Sequence, residues 1–180
     1  MIEGAVGYPG AGKTYYAIFR AQRELKKGRA VYANFAIDGT KLITPTTMFQ
    51  IEPGAFVILD EAQLWFGSRG WKDFGDDMTA FFSQTRKVGY TLLWISQDLS
   101  TVDKIIRDRT HLIHQLRPWL AGFFGHPLFF SCQTYYGAKN LGKKAHHAGN
   151  RLIWFKEKTA NAYDTNEILM TKREAVKNEG

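Results

Sequence analysis

The chain has 180 residues, 44% hydrophobic and 23% charged, which is the composition of one folded domain with a sizeable core. Its single cysteine, Cys132, excludes an internal disulfide and fits a reducing compartment. The net charge of +7 is typical of a protein that binds nucleic acid, anionic lipid or an acidic protein. The alternative is a basic surface that only keeps the protein soluble.

A phosphate-binding motif follows the first predicted strand, Ile2–Val6. Residues 7–14 read Gly-Tyr-Pro-Gly-Ala-Gly-Lys-Thr and match the pattern G-x-x-x-x-G-K-[ST]. Glycines let backbone N–H groups approach phosphate oxygens, and the next helix points its positive end at the same anion. The predicted nucleotide-binding residues are Gly7, Tyr8, Pro9, Gly10, Ala11, Gly12, Lys13, Thr14 and Tyr15. We expect Lys13 to reach the β- and γ-phosphates and Thr14 to bind Mg²⁺; the alternative is an ordinary glycine-rich helix cap.

The spacing of apolar residues predicts a helix from Lys13 to Lys27, closed by Gly28, and then a strand from Ala30 to Phe35. A loop region leads from there to a second apolar run, Phe56 to Leu59. Four consecutive apolar residues that end in two carboxylates indicate a buried parallel strand whose tip enters a site.

Asp60 and Glu61 form that tip. Downstream of a phosphate loop, we expect Asp60 to hold the Mg²⁺ shell, usually through water, and Glu61 to activate the water that attacks the γ-phosphate. The alternative is an acidic helix start with Asp60 as its N-cap.

The next elements are a helix from about Asp77 to Val88 and a buried strand from Thr91 to Ser96. In the sheet of phosphate-loop enzymes, this strand lies between the phosphate-loop strand and the carboxylate strand. Gln97 at its end is therefore the candidate γ-phosphate sensor, and the alternative is an amide that satisfies local backbone. Helix–strand alternation to this point predicts an α/β fold with a mainly parallel sheet.

Beyond Thr101 to Arg109, a short predicted helix, the chain becomes rich in strands. A fifth strand is predicted from His111 to Leu116, and antiparallel strands from Phe129 to Tyr136 and Leu152 to Phe155. A basic loop, residues 139–151, joins the last two. It contains His146 and His147, for which a solvated loop is favoured over a metal site.

Positive charge is concentrated between Arg109 and Lys156, where there are seven basic residues and no acidic one. The candidate partner-binding residues are Trp65, Arg69, Trp71, Lys139, Lys143, Lys144 and Arg151. The apolar run Trp119 to Cys132 is too short to span a membrane, so it is a partner-docking or interfacial loop or part of the core. We expect no secretory signal either, because the phosphate motif begins at Gly7.

Several motifs in this order closely resemble the zonula occludens toxin (Zot) family, which includes the gene I assembly proteins of filamentous phages. They include the phosphate loop, Leu59-Asp60-Glu61, residues 65–71 (Trp-Phe-Gly-Ser-Arg-Gly-Trp), Arg86-Lys87-Val88-Gly89, Gln97-Asp98 and residues 161–165 (Asn-Ala-Tyr-Asp-Thr). The resemblance covers nearly the whole chain.

The resemblance implies an ASCE-type, RecA/FtsK-like P-loop ATPase on the cytoplasmic face of the host inner membrane, where it drives virion assembly and extrusion. It implies a ring oligomer, partners among coat protein and secretin components, and contact with single-stranded phage DNA or its protein complex, or with an anionic membrane surface. We expect an arginine finger in trans, with Arg86 preferred over Arg107 and Arg109. Family members usually continue into a transmembrane helix, so we interpret this chain as an isolated cytoplasmic domain.

We therefore expect one P-loop domain over 1–180, with a core at 1–118, a small basic β-rich extension at 119–165 and a charged tail at 166–180. The predicted reaction is ATP plus water to ADP plus phosphate, with Mg²⁺ as cofactor. The alternatives are a nucleotide-gated scaffold that hydrolyses little and a small-molecule kinase.

Overall fold

The structure is a computed structural model, and it describes residues 1–44, 47–66, 82, 85, 87–121, 127–137 and 146–162. The strands are β1 (Ile2–Val6), β2 (Val31–Ala33), β3 (Lys41–Leu42), β4 (Phe56–Leu59), β5 (Thr91–Ser96), β6 (Leu112–Ala121), β7 (Pro127–Tyr136) and β8 (His147–Trp154). The helices are α1 (Lys13–Lys26), α2 (Ala62–Phe66), α3 (Lys104–Arg109) and α4 (Glu157–Ala160). Among the described residues, no helix has the length and apolarity needed to cross a bilayer.

One sheet contains all of these strands, in the order β3-β2-β4-β5-β1-β6-β7-β8. The pairs from β3 to β6 are parallel, and β7 and β8 are added antiparallel at the far edge. The predicted α/β fold with a mainly parallel sheet is confirmed. The prediction that β5 lies between the phosphate-loop strand β1 and the carboxylate strand β4 is also confirmed.

Hydrophobic clusters cover both faces of the parallel part of the sheet. Helix α1 covers one face and buries Ile18 among residues such as Phe56 and Ile95. Ile106 of α3 belongs to the opposite cluster, with Trp94 of β5. The carboxyl ends of the parallel strands are thereby held at one edge of a rigid sheet, where ligands bind in folds of this kind.

Glu3 and Gly4 are unusual residues for a buried strand, and both have distant partners. Gly4 leaves room for the indole of Trp94, because a Cβ at this position would lie 2.2 Å from the Trp94 ring. Glu3 is buried, accepts a hydrogen bond from Arg20 Nη1 at 2.8 Å and lies 2.9 Å from His114 Nε2. Burial disfavours its charge, but these two hydrogen bonds outweigh burial and lower the pKa of Glu3 to about 2.

The strands at the far edge are longer than predicted. β6 was expected to end at Leu116 but extends to Ala121. Beyond Gln115 it pairs with β7 and no longer with β1. Pro118 is tolerated in this part of the strand because no N–H is needed on the side that faced β1. β6 therefore runs across position 118, where the predicted core was expected to end. β8 was expected to begin at Leu152 but begins at His147, so the prediction of a loop over 147–151 was wrong. Most residues of this edge strand are exposed, so they are polar and do not show the hydrophobic pattern by which a strand is predicted.

Candidate nucleotide-binding site

The phosphate loop connects the carboxyl end of β1 to the amino end of α1, as the motif predicts. Gly12 has φ 85°, in the left-handed region that favours glycine. A Cβ on Gly12 would also lie 2.4 Å from the ring of Phe130 on β7. Glycine is therefore required here for two reasons, the local turn and the close approach of a distant strand.

Lys13 lies folded over the loop. Its Nζ donates hydrogen bonds to the carbonyl oxygens of Gly7 at 2.9 Å and Tyr8 at 3.1 Å. Desolvation lowers the pKa of Lys13, and the charges of Asp60 and Glu61 oppose that shift. The lysine and both carboxylates thus share one electrostatic environment, in which the ammonium is held close to where a phosphate would enter the loop.

Thr14 and Asp60 connect the phosphate loop to the carboxylate strand. Thr14 Oγ1 donates a hydrogen bond to Asp60 Oδ2 at 2.8 Å, although the two residues lie 46 positions apart in the chain. The other carboxylate oxygen, Oδ1, accepts the backbone N–H of Glu61 at 2.8 Å. Burial raises the pKa of Asp60, against the effect of these hydrogen bonds. The arrangement places two hard oxygen ligands side by side.

Asn34, which sequence reasoning missed, fixes the backbone of Asp60. It follows β2 directly; its Nδ2 donates to the Asp60 carbonyl at 2.9 Å, and its Oδ1 accepts the Asp60 N–H at 2.8 Å. The paired hydrogen bonds allow little rotation of the Asp60 backbone. The signal that could have identified Asn34 in the sequence was a polar amide directly after the short buried strand β2, which pairs with β4.

Glu61 begins the turn into α2 with φ 48°, a strained conformation for a residue other than glycine. Gln63 Nε2 donates a hydrogen bond to Glu61 Oε2, and Gln63 Oε1 accepts one from Ser96 Oγ at 3.0 Å. A chain of side chains from β5 therefore orients the Glu61 carboxylate. Gln63 and Ser96 were missed because their role depends on the pairing of β4 with β5.

Gln97 lies where the sequence predicted, directly after β5 and with an exposed side chain. Its neighbour Ser96 is in register with Val6, the last residue of β1 before the phosphate loop. Gln97 therefore belongs to the same edge of the sheet as Gly7 and Asp60. Its role as γ-phosphate sensor stays a prediction.

Several predicted residues lie outside the described part of the chain: Arg69, Trp71, Arg86, Lys139, Lys143 and Lys144. The backbone of Trp65 lies in α2, close in sequence to Glu61. Arg151 is exposed on β8, far along the sheet from the carboxylates. The structure thus brings together the loop, Asp60 and Glu61, but does not bring Arg151 to them.

Tyr15 joins the nucleotide site to the antiparallel strands. Its hydroxyl donates to the carbonyl of Trp154 at 3.0 Å and accepts the backbone N–H of Lys156 at 2.8 Å. Its ring lies 5.2 Å from that of Phe130 and 5.4 Å from that of Phe155, measured between centroids. The first turn of α1 therefore rests on β7 and on the end of β8.

The ligand set of this site fits Mg²⁺. The magnesium ion prefers oxygen ligands and commonly keeps one or two protein ligands beside water and phosphate oxygens. Thr14 Oγ1 and Asp60 Oδ2 lie 2.8 Å apart, a separation that neighbouring ligands of one octahedral ion can have.

Comparisons with known proteins agree with this architecture. The family model described as Zonular occludens toxin (Zot) matches residues 41–142, more than half of the chain. The Gene 1 protein of Enterobacteria phage I2-2 is 28% identical over 130 residues, covering 57% of this chain and 36% of the phage protein. The chain thus spans about a third of the length of that curated relative.

Two solved structures have the same fold. The N-terminal domain of zonular occludens toxin from Neisseria meningitidis superposes with a TM-score of 0.57 at 16% identity, covering 91% of this chain and 98% of that domain. The genome packaging NTPase B204 of Sulfolobus turreted icosahedral virus 2, in complex with AMP, superposes with a TM-score of 0.55 at 10% identity, covering 84% of this chain and 96% of B204. At these identities the likeness establishes the P-loop NTPase fold.

Proposed function

This chain belongs to the zonular occludens toxin (Zot) family, and from that premise we propose that it is an ATP-hydrolysing motor domain for the assembly and extrusion of filamentous phage. The observation that carries the proposal is the 2.8 Å hydrogen bond between Thr14 and Asp60. It joins the phosphate loop to the carboxylate strand, and this supports a single site that contains both parts needed for hydrolysis. A site that only bound phosphate would need the loop but not the carboxylates.

Each residue has a proposed task in the reaction. The loop N–H groups and Lys13 bind the β- and γ-phosphates, and they stabilise the negative charge of the transferring group. Glu61 accepts a proton from the attacking water, and Gln63 holds its carboxylate in one orientation. Gln97 senses the γ-phosphate from the end of β5.

Thr14 and Asp60 would hold Mg²⁺, which when bound neutralises charge on the β- and γ-phosphate oxygens. Asn34 supports this arrangement by fixing the backbone of Asp60.

We propose that the domain acts as a ring in which Arg86 of one subunit completes the site of the next. An arginine finger contributes about 10³–10⁵ in rate in other P-loop enzymes. Arg86→Ala should therefore lower the turnover of assembled protein by a factor of that order. Turnover equal to that of the wild type in assembled material would remove Arg86 from this role.

The cellular setting is proposed from the family resemblance. We propose that the domain works at the cytoplasmic face of the host inner membrane and meets coat protein and secretin components there. The cluster of positive charge between Arg109 and Lys156 is suited to an anionic membrane surface or an acidic partner.

The test is phosphate release from ATP by the purified chain in the presence of Mg²⁺. Lys13→Ala should reduce turnover about 100-fold, because charge-assisted hydrogen bonds to phosphate are lost. Lys26→Ala is the matched control, since Lys26 is exposed at the other end of α1. Wild-type protein that binds ATP but releases no phosphate, even when assembled, would favour a nucleotide-gated scaffold over a motor. Phosphate transfer to a small molecule in place of water would favour a kinase.

A further inference from the structure

Three aromatic side chains form a row across β6, β7 and β8. Trp119 pairs with Phe129, and Phe129 pairs with Trp154, so all three point to the same face of the sheet. Their ring centroids are 5.9 Å apart for Trp119 and Phe129 and 5.2 Å apart for Phe129 and Trp154. We call these three residues the aromatic ladder.

The aromatic ladder is open to solvent. Trp119 is 55% exposed and Trp154 is 63% exposed, fractions that are unusual for tryptophan. On the same face of β6, Ile113 is fully buried in the cluster that contains Trp94 and Ile106. The face therefore changes from core to open surface within six residues of one strand.

Polar rows continue from the ladder along the same face. The next row, by strand register, is Arg117, Ser131 and Leu152, and the one after it is Gln115, Gln133 and Asn150. The first supplies a guanidinium and the second three side-chain amides. Rings, a cation and amides occur together on one face, a combination suited to flat ligands with hydrogen-bonding edges and a negative backbone.

Charge in this part of the sequence also favours an anionic ligand. There is no Asp or Glu between Arg109 and Lys156, a segment that includes all of β6, β7 and β8. No carboxylate from these strands can therefore repel a phosphate backbone. The α1 face of the same strands carries Arg151, paired in register with the buried Cys132.

We propose that the aromatic ladder and the polar rows beside it bind single-stranded nucleic acid. Successive bases stack on Trp119, Phe129 and Trp154, Arg117 contacts phosphate, and the amides contact base edges. Neighbouring strands are about 4.8 Å apart, so three strands present a platform of roughly 10 Å, wide enough for two or three bases.

A bilayer or an apolar protein segment fits this face less well. An interfacial surface continues its apolar band, whereas here Leu152 extends the band on β8 alone. The amides Gln115, Gln133 and Asn150 follow within four residues of the ladder. A duplex fits poorly too, since its bases are not free to stack on side chains.

The proposed surface stands apart from the nucleotide site, so the binding does not depend on the proposed hydrolysis. The two are nevertheless in contact through Tyr15, whose hydroxyl donates to the backbone carbonyl of Trp154. Single-stranded nucleic acid bound at Trp154 would thus lie one hydrogen bond away from the first turn of α1.

The experiment measures binding in the absence of ATP, by fluorescence anisotropy of a labelled oligothymidylate of about 16 nucleotides. This length is the upper end of the site size of a single-strand-binding OB fold and exceeds what the ladder needs. Trp119→Ala and Trp154→Ala should each weaken binding about tenfold, and binding should weaken further as salt is raised. Tyr136→Ala is the matched control, because Tyr136 is 58% exposed on β7 but points to the opposite face, towards the groove beside α1.

Two further arms separate the alternatives, with a duplex of the same length and with vesicles that contain phosphatidylglycerol. Single-strand binding that both tryptophan substitutions weaken and Tyr136→Ala leaves intact supports the proposal. Unchanged affinity in both tryptophan variants would overturn it, as would equal affinity for the duplex. Loss of vesicle binding, in place of oligonucleotide binding, would assign the ladder to a membrane.

Discussion

The nucleotide site and the aromatic ladder lie on the same sheet but differ in burial and in how their side chains are held. Around Asp60, the carboxylate and the backbone are held by specific partners, Thr14 and Asn34, and the Asp60 side chain is buried. Around Trp154, large apolar rings are exposed, as are the polar side chains of Arg117 and Asn150 on the neighbouring rows. In the first region the side chains are held in fixed positions, and in the second they form an open surface.

Polar contacts between described residues join these regions in two places. One is the buried network in which Glu3 binds Arg20 and His114, with His114 Nδ1 lying 3.0 Å from Thr134 Oγ1 on β7. The other is the hydroxyl of Tyr15. Substitutions at these contacts should change the free energy of unfolding, whereas substitutions at the nucleotide site should change the rate of hydrolysis.

The largest effect on stability is expected at Glu3. Glu3→Gln leaves the Arg20 guanidinium buried without its counter-charge, which typically costs about 3–5 kcal/mol of unfolding free energy. Urea unfolding at neutral pH measures this loss. Glu157→Gln, in the exposed first turn of α4, is the control and should change little. An equal effect of the two substitutions would show that the Glu3 network does not hold the regions together.

The same network predicts a pH dependence. The folded-state pKa of Glu3 is lowered from 4.5 to about 2, so its contribution is fully present above pH 4.5 and is lost as pH falls towards 2. The difference corresponds to about 3 kcal/mol. Unfolding free energies measured from pH 6 down to the acid limit should show this loss in the wild type. A curve of the same slope in Glu3→Gln would contradict the assignment.

A smaller effect, on rate alone, is expected at Gln63. Gln63→Ala removes the hydrogen bond that orients Glu61, and we expect kcat to fall about tenfold with KM unchanged. Steady-state phosphate release at several ATP concentrations gives both constants. Gln50→Ala, at an exposed position outside the site, is the control. A rise in KM with unchanged kcat would place Gln63 in binding and not in the positioning of Glu61.

The smallest effect is expected at Tyr15. Tyr15→Phe keeps the ring contacts with Phe130 and Phe155 but leaves the backbone N–H of Lys156 without its acceptor. Because Lys156 is exposed, we expect a cost of about 1 kcal/mol, the lower end of the range for such a loss. Thermal unfolding compared with the exposed control Tyr136→Phe measures this. If the two variants melt at the same temperature, the hydroxyl does not join the regions.

The sequence predicted the elements around the candidate nucleotide site well, because their determinants are local. The loop is a continuous motif, the apolar run Phe56–Leu59 leads directly to Asp60, and Thr91–Ser96 has the composition of a fully buried strand. The position of β5 between β1 and β4 followed from the topology that such motifs share. These predictions needed no knowledge of which distant side chains meet.

The missed features depend on contacts between distant segments. Glu3 and Gly4 look unsuited to a buried strand until Arg20 and the Trp94 ring supply their partners. Gln63 acquires a role only when β4 pairs with β5. From the sequence, the apolar run from Trp119 to Cys132 could belong to the core or to a partner-binding surface. In the structure it contributes to both kinds of environment, since Phe130 and Cys132 are buried whereas Trp119 is exposed. Strand alternation places these neighbours on opposite faces, which a hydrophobic run alone does not show.

The most direct test of the account is the comparison of ATP binding with ATP hydrolysis in Glu61→Gln. The substitution keeps the size of the side chain and its contact with Gln63, but removes the proton acceptor. We predict that the variant binds ATP with wild-type affinity and releases phosphate at least about 100-fold more slowly, the lower end of the contribution of a general base. Phosphate release at the wild-type rate would contradict the assignment of Glu61, and with it the proposed hydrolytic site.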